Sequence, residues 1–168
     1  MLRKNSGFTL AELMVVIGIL AILSAVAMPG FIGWITKHKL GTGARQVLST
    51  IESARMRAVR ERVSVGIEFQ VPDSRGYRVW LDDGSGGGSA DDAERNGAEP
   101  IILSGQMPAG VSISEALFGG DPNFRFNSQG FPIRNGAGEN LTSGHVTLTN
   151  TRDSKVVAIS LAGNASIQ

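Results

Sequence analysis

Apolar positions fall along the chain in three regimes. From Leu13 to Thr36 no residue is charged, and twelve of those 24 residues are Leu, Ile, Val or Phe. A helix of that length rises about 36 Å, enough to cross the hydrocarbon core of a bilayer. Its large apolar side chains favour insertion by about 4–7 kcal/mol, and one Glu at the segment's edge costs less than the ~3 kcal/mol of a central charge. From Leu40 the pattern changes. Leu40, Ala44, Val47, Leu48, Ile51, Ala54 and Ala58 recur in steps of three and four, which describes one face of an amphipathic helix. The opposite face carries Lys37, Lys39, Arg45, Arg55, Arg57, Arg60 and Arg62 against Glu52 and Glu61. From Val63 the period shortens to two, with Val63, Val65, Ile67, Phe69 and Val71 alternating with Ser64, Gly66, Glu68 and Gln70. That is a half-buried strand.

Further short strands are predicted at Tyr77–Leu81, Ile101–Leu103, Val111–Ile113, Phe124–Phe126, Val146–Leu148 and Val156–Ile159. A final hairpin is expected through Ala162-Gly163-Asn164 to Ala165–Ile167. One helix followed by a run of strands predicts an α+β fold with an antiparallel sheet. Helix persisting from Phe8 to Arg60 would extend roughly 80 Å. Pro29-Gly30 interrupts it, and proline removes a backbone bond and bends a helix. The periodicity resumes afterwards, which favours a kink over an end to the membrane helix.

Composition narrows the function. With 168 residues, 18% charged, and 16 Lys and Arg against 15 Asp and Glu, the chain is neither a disordered polyelectrolyte nor a strongly basic coat for nucleic acid. Cysteine is absent, which excludes disulfides, thiolate metal sites and a cysteine nucleophile. Of the two histidines, His38 lies on the helix and His145 in a distant strand. No nucleophile elbow, phosphate loop or His-Glu-x-x-His occurs, so the residues argue against an enzyme, a bound cofactor and a small-molecule substrate. Gly84–Gly88 lacks the lysine and helix start that phosphate binding requires.

Arg3 and Lys4 precede the apolar run, so the positive-inside rule keeps the N-terminus cytoplasmic and exports everything after about Lys37. A secretory signal shares that layout, with Ala25-Val26-Ala27 as its best cleavage site. Yet the run is longer than the usual apolar region and flows into a helical pattern. Ser6-Gly7-Phe8-Thr9-Leu10-Ala11-Glu12-Leu13 resembles the cleavage and methylation motif of type IV prepilins and type II secretion pseudopilins. The resemblance implies cutting by a prepilin peptidase between Gly7 and Phe8, N-methylation of Phe8, and retention of the helix. Ala11 departs from the bulkier aliphatic residue commoner there. The segment Met107–Val111, then Phe124–Gly130, Val146–Thr149 and Val156–Ser160 before Gly163, resembles in order the GspH/FimT family of minor pseudopilins and minor pilins.

That family implies a type IV pilin-like fold and four regions. These are a leader at 1–7, a membrane and filament-core half of the helix at 8–36, an amphipathic half at 37–62, and a periplasmic β-rich head at 63–168 with a flexible loop at 82–100. It implies a single-pass protein of the bacterial inner membrane, entering a pseudopilus or pilus. Its partners would be other pilins or pseudopilins, the prepilin peptidase and an inner-membrane assembly platform. The function implied is a minor pseudopilin of type II secretion, with a FimT-like minor pilin of a type IV pilus as the alternative.

Glu12 is the only carboxylate between Arg3 and Lys37. At a membrane boundary it could reach headgroups. In an apolar filament core it costs several kcal/mol unless paired, and the new amine on a neighbour's Phe8 would pair it and set axial register. Pro29 stands where pilins commonly carry a proline, as the expected kink. The loop at 82–100 holds Asp82, Asp83, Asp91, Asp92, Glu94 and Glu99 with Arg95 as its one base. Without regular calcium-loop spacing, it reads as a solvated loop rather than a metal site. Some FimT-like members bind DNA through a basic C-terminal tail, but Leu161–Gln168 contains no Arg or Lys. From Val63 onward seven basic residues face twelve acidic ones, the wrong sign for phosphate.

Overall fold

The computed structural model describes residues 8–70, 73–92, 94–96, 98–135 and 138–168. The 1–7 leader and Gly7 lie outside them, as do Val71 and Pro72. The chain divides into two compact units, Met1–Ile35 and Thr36–Gln168.

One helix, α1, runs Leu10–Glu61, close to the expected bounds, and its helical backbone continues through Pro29. It stops where Arg62 adopts φ 57°. A left-handed residue just past the last turn is a usual helix terminator, although glycine fills the place at less cost. In the first unit, the large apolar side chains from Leu10 to Ile32 are all exposed. Phe31 and Trp34 stack there with ring centroids 5.9 Å apart.

In the second unit the predicted helix face becomes the floor of the core. Leu40, Ala44, Val47, Ile51, Ala54 and Ala58 are each 2% exposed or less. Among the described residues nine strands cover it: β1 Ser64–Phe69, β2 Gly76–Asp82, β3 Ile101–Gln106, β4 Ser112–Phe118, β5 Asn123–Phe126, β6 Pro132–Arg134, β7 Gly144–Thr149, β8 Ser154–Ile159 and β9 Ala165–Ile167. All pair antiparallel, but in two sheets rather than one, ordered β3-β2-β1-β5-β6 and β4-β7-β8-β9. A run of phenylalanines ties the sheets together. Phe118 of β4 lies 5.8 Å from Phe69 of β1 and 4.4 Å from Phe124 of β5, whose ring meets Phe126 edge-on at 5.2 Å.

Two departures from the expected strands have local causes. β4 is longer than Val111–Ile113 because its register against β7 shifts between Ile113 and Glu115. The shift leaves Ser114 and Glu115 both exposed, so burial passes from odd to even positions and the period of two disappears. β6 has three residues and starts on Pro132, a residue tolerated only at strand starts and sheet edges. The C-terminal hairpin forms as expected. Gly163, at φ 77°, closes it by donating to the Ser160 carbonyl at 2.8 Å, with Ser160 donating to Asn164 at 2.9 Å.

Candidate assembly site

The start of α1 is built by two side chains that answer each other. Thr9 precedes the first helical residue, and its backbone N–H and its hydroxyl both donate to Glu12 Oε2, each at 2.9 Å. The Glu12 amide donates back to Thr9 Oγ1 at 3.2 Å, and the Leu13 amide to the Thr9 carbonyl at 3.2 Å. This is a capping box, in which two amides that have no partner inside the helix are satisfied reciprocally. A carboxylate on the first turn also faces the positive end of the helix dipole. Thr9-x-x-Glu12 spells that motif in the sequence, but a reading by charge and hydropathy passes over Thr9. Glu12 is therefore oriented by its own chain. Among the described residues all its bonds land on Oε2, which leaves Oε1 open to a donor from outside.

Phe8, just before the helix, and Glu12, in its first turn, line an open groove of about 340 Å³ with Ala11, Val15 and Val16. The Phe8 side chain is 84% exposed. Pro29 lies far along the same helix and joins neither residue. Leu10–Met28 is long and apolar enough to cross a membrane, and none of it is buried.

The head presents one more exposed element. β3 is the outer strand of the first sheet, with Ile101 and Leu103 exposed and a groove of about 260 Å³ between it and Ser53, Ala54 and Arg57 of α1. Its far end is tied to the helix by Gln46, which donates to Tyr77 Oη at 3.0 Å and to the Gln106 carbonyl at 3.2 Å.

The acidic loop differs from a solvated one at two of its six carboxylates. Glu99 is fully buried and accepts the Gly84 amide on Oε1 and the Asn96 amide on Oε2, both at 3.1 Å. Asp82, 1% exposed, accepts the Asp91 amide at 2.9 Å. Asp91 in turn meets Ser64 Oγ and, at 3.1 Å, Arg125 Nη1. The reason is the unpaired amides of a glycine-rich turn, which need acceptors once the loop folds onto the sheet. Asp83 and Glu94 do face water. The Ser85 hydroxyl and amide hold the Asp83 carboxyl below its usual value. Among the described residues no group of acids and histidines is arranged to hold a metal ion. His145 lies 3.1 Å from Glu115 across the β4–β7 pair, a surface contact remote from His38 in sequence.

Comparison with known proteins follows this division. Residues 43–163 match the family described as type II transport protein GspH, and residues 2–28 the prokaryotic N-terminal methylation motif. Prepilin peptidase-dependent protein D of Escherichia coli is 57% identical over 37 residues, 22% of this chain and 25% of that protein. Pilin-like protein PilA1 of Thermus thermophilus is 32% identical over 76 residues, 45% of this chain and 47% of the other. The chain thus spans at most about half the length of these curated relatives. Among solved structures, the type IV minor pilin FimU of Pseudomonas aeruginosa superposes with a TM-score of 0.54 at 16% identity, over 79% of this chain and 90% of its own. The minor pseudopilin EpsH of the Vibrio cholerae type 2 secretion system gives 0.54 at 12% identity, over 77% and 96%. Likenesses this remote in sequence establish the pilin-like fold.

Proposed function

The chain belongs to the GspH family, and from that premise we propose that it is a minor pseudopilin of a type II secretion system. In this reading it is a structural subunit that joins or primes a short periplasmic pseudopilus. The observation that carries the proposal is the pairing of a wholly exposed apolar helix with one oriented carboxylate at its start. Leu10–Met28 needs an apolar surround, first lipid and then the helices of neighbouring subunits. Glu12 makes that surround selective. An amine about 4 Å from a carboxylate contributes on the order of 4 kcal/mol at an effective dielectric near 20.

Cleavage by the prepilin peptidase after Gly7 and methylation of Phe8 would create that amine. Glu12 Oε1 would then receive the amine of a neighbouring subunit while Oε2 stays with Thr9. Residues 1–7 act as leader, 8–36 as membrane and filament-core segment, 37–62 as amphipathic helix and 63–168 as periplasmic head. Arg3 and Lys4 hold the leader in the cytoplasm, where the inner-membrane assembly platform collects the subunit. Pro29 supplies local give in the helix. Companion pseudopilins would meet the head along the β3 edge, which offers unpaired backbone groups beside exposed Ile101 and Leu103. The second reading, a minor pilin of a type IV pilus, is supported by the equal likeness to FimU. The acid excess of the head speaks against a DNA-binding role in either system.

Glu12→Gln tests the proposal. The variant should be cleaved after Gly7 and inserted as the parent is, yet cross-link poorly to companion pseudopilins and be lost from filaments. Normal incorporation would defeat the charge-pairing role. A mature chain that begins after Ala27 instead of at Phe8 would defeat the pseudopilin reading itself.

A further inference from the structure

We infer that the end of the head where α1 enters is a docking surface for anionic lipid headgroups, which holds the head against the membrane before assembly. The inference rests on the membrane-anchored reading above. Its first support is a junction. Asn150, in the turn between β7 and β8, donates from its side-chain nitrogen to the Thr36 carbonyl of α1 at 3.1 Å. Its Oδ1 accepts the amides of Arg152 and Asp153, each at 2.8 Å, and its own amide donates to the Asp153 carbonyl at 3.0 Å. One side chain thus fixes the turn's shape and pins it beside the helix. Exposed Arg152 is thereby brought to the end of the head that carries exposed Lys37, His38 and Lys39.

The second support is charge. The chain has no acidic residue from Leu13 to Ile51, and from Leu141 to Gln168 its only one is Asp153. Against that one carboxylate stand Lys37, Lys39, Arg152 and the half-exposed Lys155. Six of the head's twelve acids belong to the loop at 82–100, next to the Ser64 end of β1, where α1 has already ended. The rest of the head is therefore acidic and this end basic. Near an anionic surface such a distribution selects one orientation.

The third support is reach. Thr36 lies eight residue steps beyond Met28, the last of the apolar span. They amount to about 12 Å of helical rise and cannot exceed about 28 Å in any conformation. Exposed Phe31 and Trp34 fall in this interval, and tryptophan is enriched at the headgroup level. With the interval helical, about 12 Å less the several Å of headgroup thickness leaves the basic end within about one Debye length, ~8 Å, of that layer. Basic residues on the exported side run against the topology rule that keeps them inside, and a headgroup-binding role accounts for their presence there.

The chain has no cysteine, so Thr151→Cys gives a unique spin-label position on the exposed turn. The labelled full-length chain is reconstituted in nanodiscs of phosphatidylcholine with or without phosphatidylglycerol. With phosphatidylglycerol, collisions of the label with a water-soluble relaxant should fall several-fold, and raising the salt should restore them. Each basic residue near such a surface changes the docked-to-free ratio about five-fold. Lys37→Gln should therefore lower the ratio by about that factor, and the triple variant Lys37→Gln, Lys39→Gln, Arg152→Gln should erase the dependence on lipid. Arg60→Gln, at the other end of the amphipathic helix, should leave it intact. Asn150→Ala keeps every charge but frees the turn, and should weaken docking of the label. Equal accessibility in both kinds of disc would overturn the inference, as would a lipid effect that survives the triple variant. So would protection that appears only when a companion pseudopilin is added to neutral discs. Failure to reconstitute at all would defeat the anchoring reading and this one with it.

Discussion

The two halves of α1 share one backbone and one helical period, and they solve opposite problems. Between Leu10 and Ile32 even the most sheltered of the large apolar side chains, Val16, is 45% exposed. Between Leu40 and Ala58 the apolar stripe, with the partly buried Leu48 as its exception, is 2% exposed or less. In the second half the apolar residues, Met56 and Val59 apart, occupy one face, and the chain's own sheets cover it. In the first half they occupy every face, which no single small head could cover. The lesson is that apolar content alone does not distinguish core from interface. The width of the apolar stripe around the helix does. A narrow stripe is satisfied within the chain, whereas an unbroken one requires a surround supplied from outside.

This contrast should appear first in stability. Ile51→Ala removes a fully buried side chain from the helix face beneath the sheets and should destabilise the head by about 2–5 kcal/mol. Ile19→Ala deletes the same atoms from an exposed position and should leave the head's unfolding midpoint unchanged. Denaturant unfolding of both variants in one detergent, followed by tryptophan fluorescence, measures the difference. Equal losses would break the comparison by showing that the first half also supports the head.

A smaller effect tests whether the second half is committed on its polar face too. Arg55 points away from the stripe, yet its guanidinium donates to the Gly130 carbonyl at 3.1 Å, the Gly163 carbonyl at 3.3 Å and Asn164 Oδ1 at 2.8 Å. It joins the helix to the turn after β5 in one sheet and the turn after β8 in the other. The turns pack so closely that a Cβ on Gly163 would lie 2.9 Å from the Gly130 carbonyl oxygen. Arg55→Met should cost about 2 kcal/mol, since bonds from a charged donor to partly buried carbonyls are lost. It should also speed amide exchange in both turns. Arg60→Met should change nothing measurable, because that side chain is 74% exposed. Faster exchange in only one turn would reduce Arg55 to a local contact.

Both halves of the helix were legible in the sequence, because one is an unbroken uncharged run and the other repeats in steps of three and four. Of the nine strands among the described residues, β1 and β2 were visible by alternation, five more as short apolar segments around Ile102, Ile113, Phe124–Phe126, Val146–Leu148 and Val157–Ile159, and β9 by its glycine turn. β6 was not, because three residues beginning with proline show no period. The second sheet was not either, since alternation says which face of a strand is buried and not which strand it pairs with. At the candidate site Glu12 stood out as a lone charge, while Thr9 passed as an ordinary polar residue until geometry joined the two. Arg55, Asp82 and Glu99 look like surface charges in any linear reading. Their partners are backbone groups of remote turns, which no residue pattern announces.

The smallest effect lies where the first half of α1 begins. Thr9→Val keeps the side chain's shape and the backbone donor to Glu12 but removes the hydroxyl, and with it two of the three capping-box bonds. Loss of a helix cap costs about 1 kcal/mol, so the Glu12 amide should exchange roughly five-fold faster, and Thr9→Ser should restore it. The change should stay local. The head's unfolding midpoint should not move, because the capping residues fall in one compact unit and the buried core in the other. Amide exchange of the full chain in micelles reads both regions in one measurement. A head that weakened together with the cap would mean that the two halves of α1 are energetically one element, and the division drawn from burial would fail.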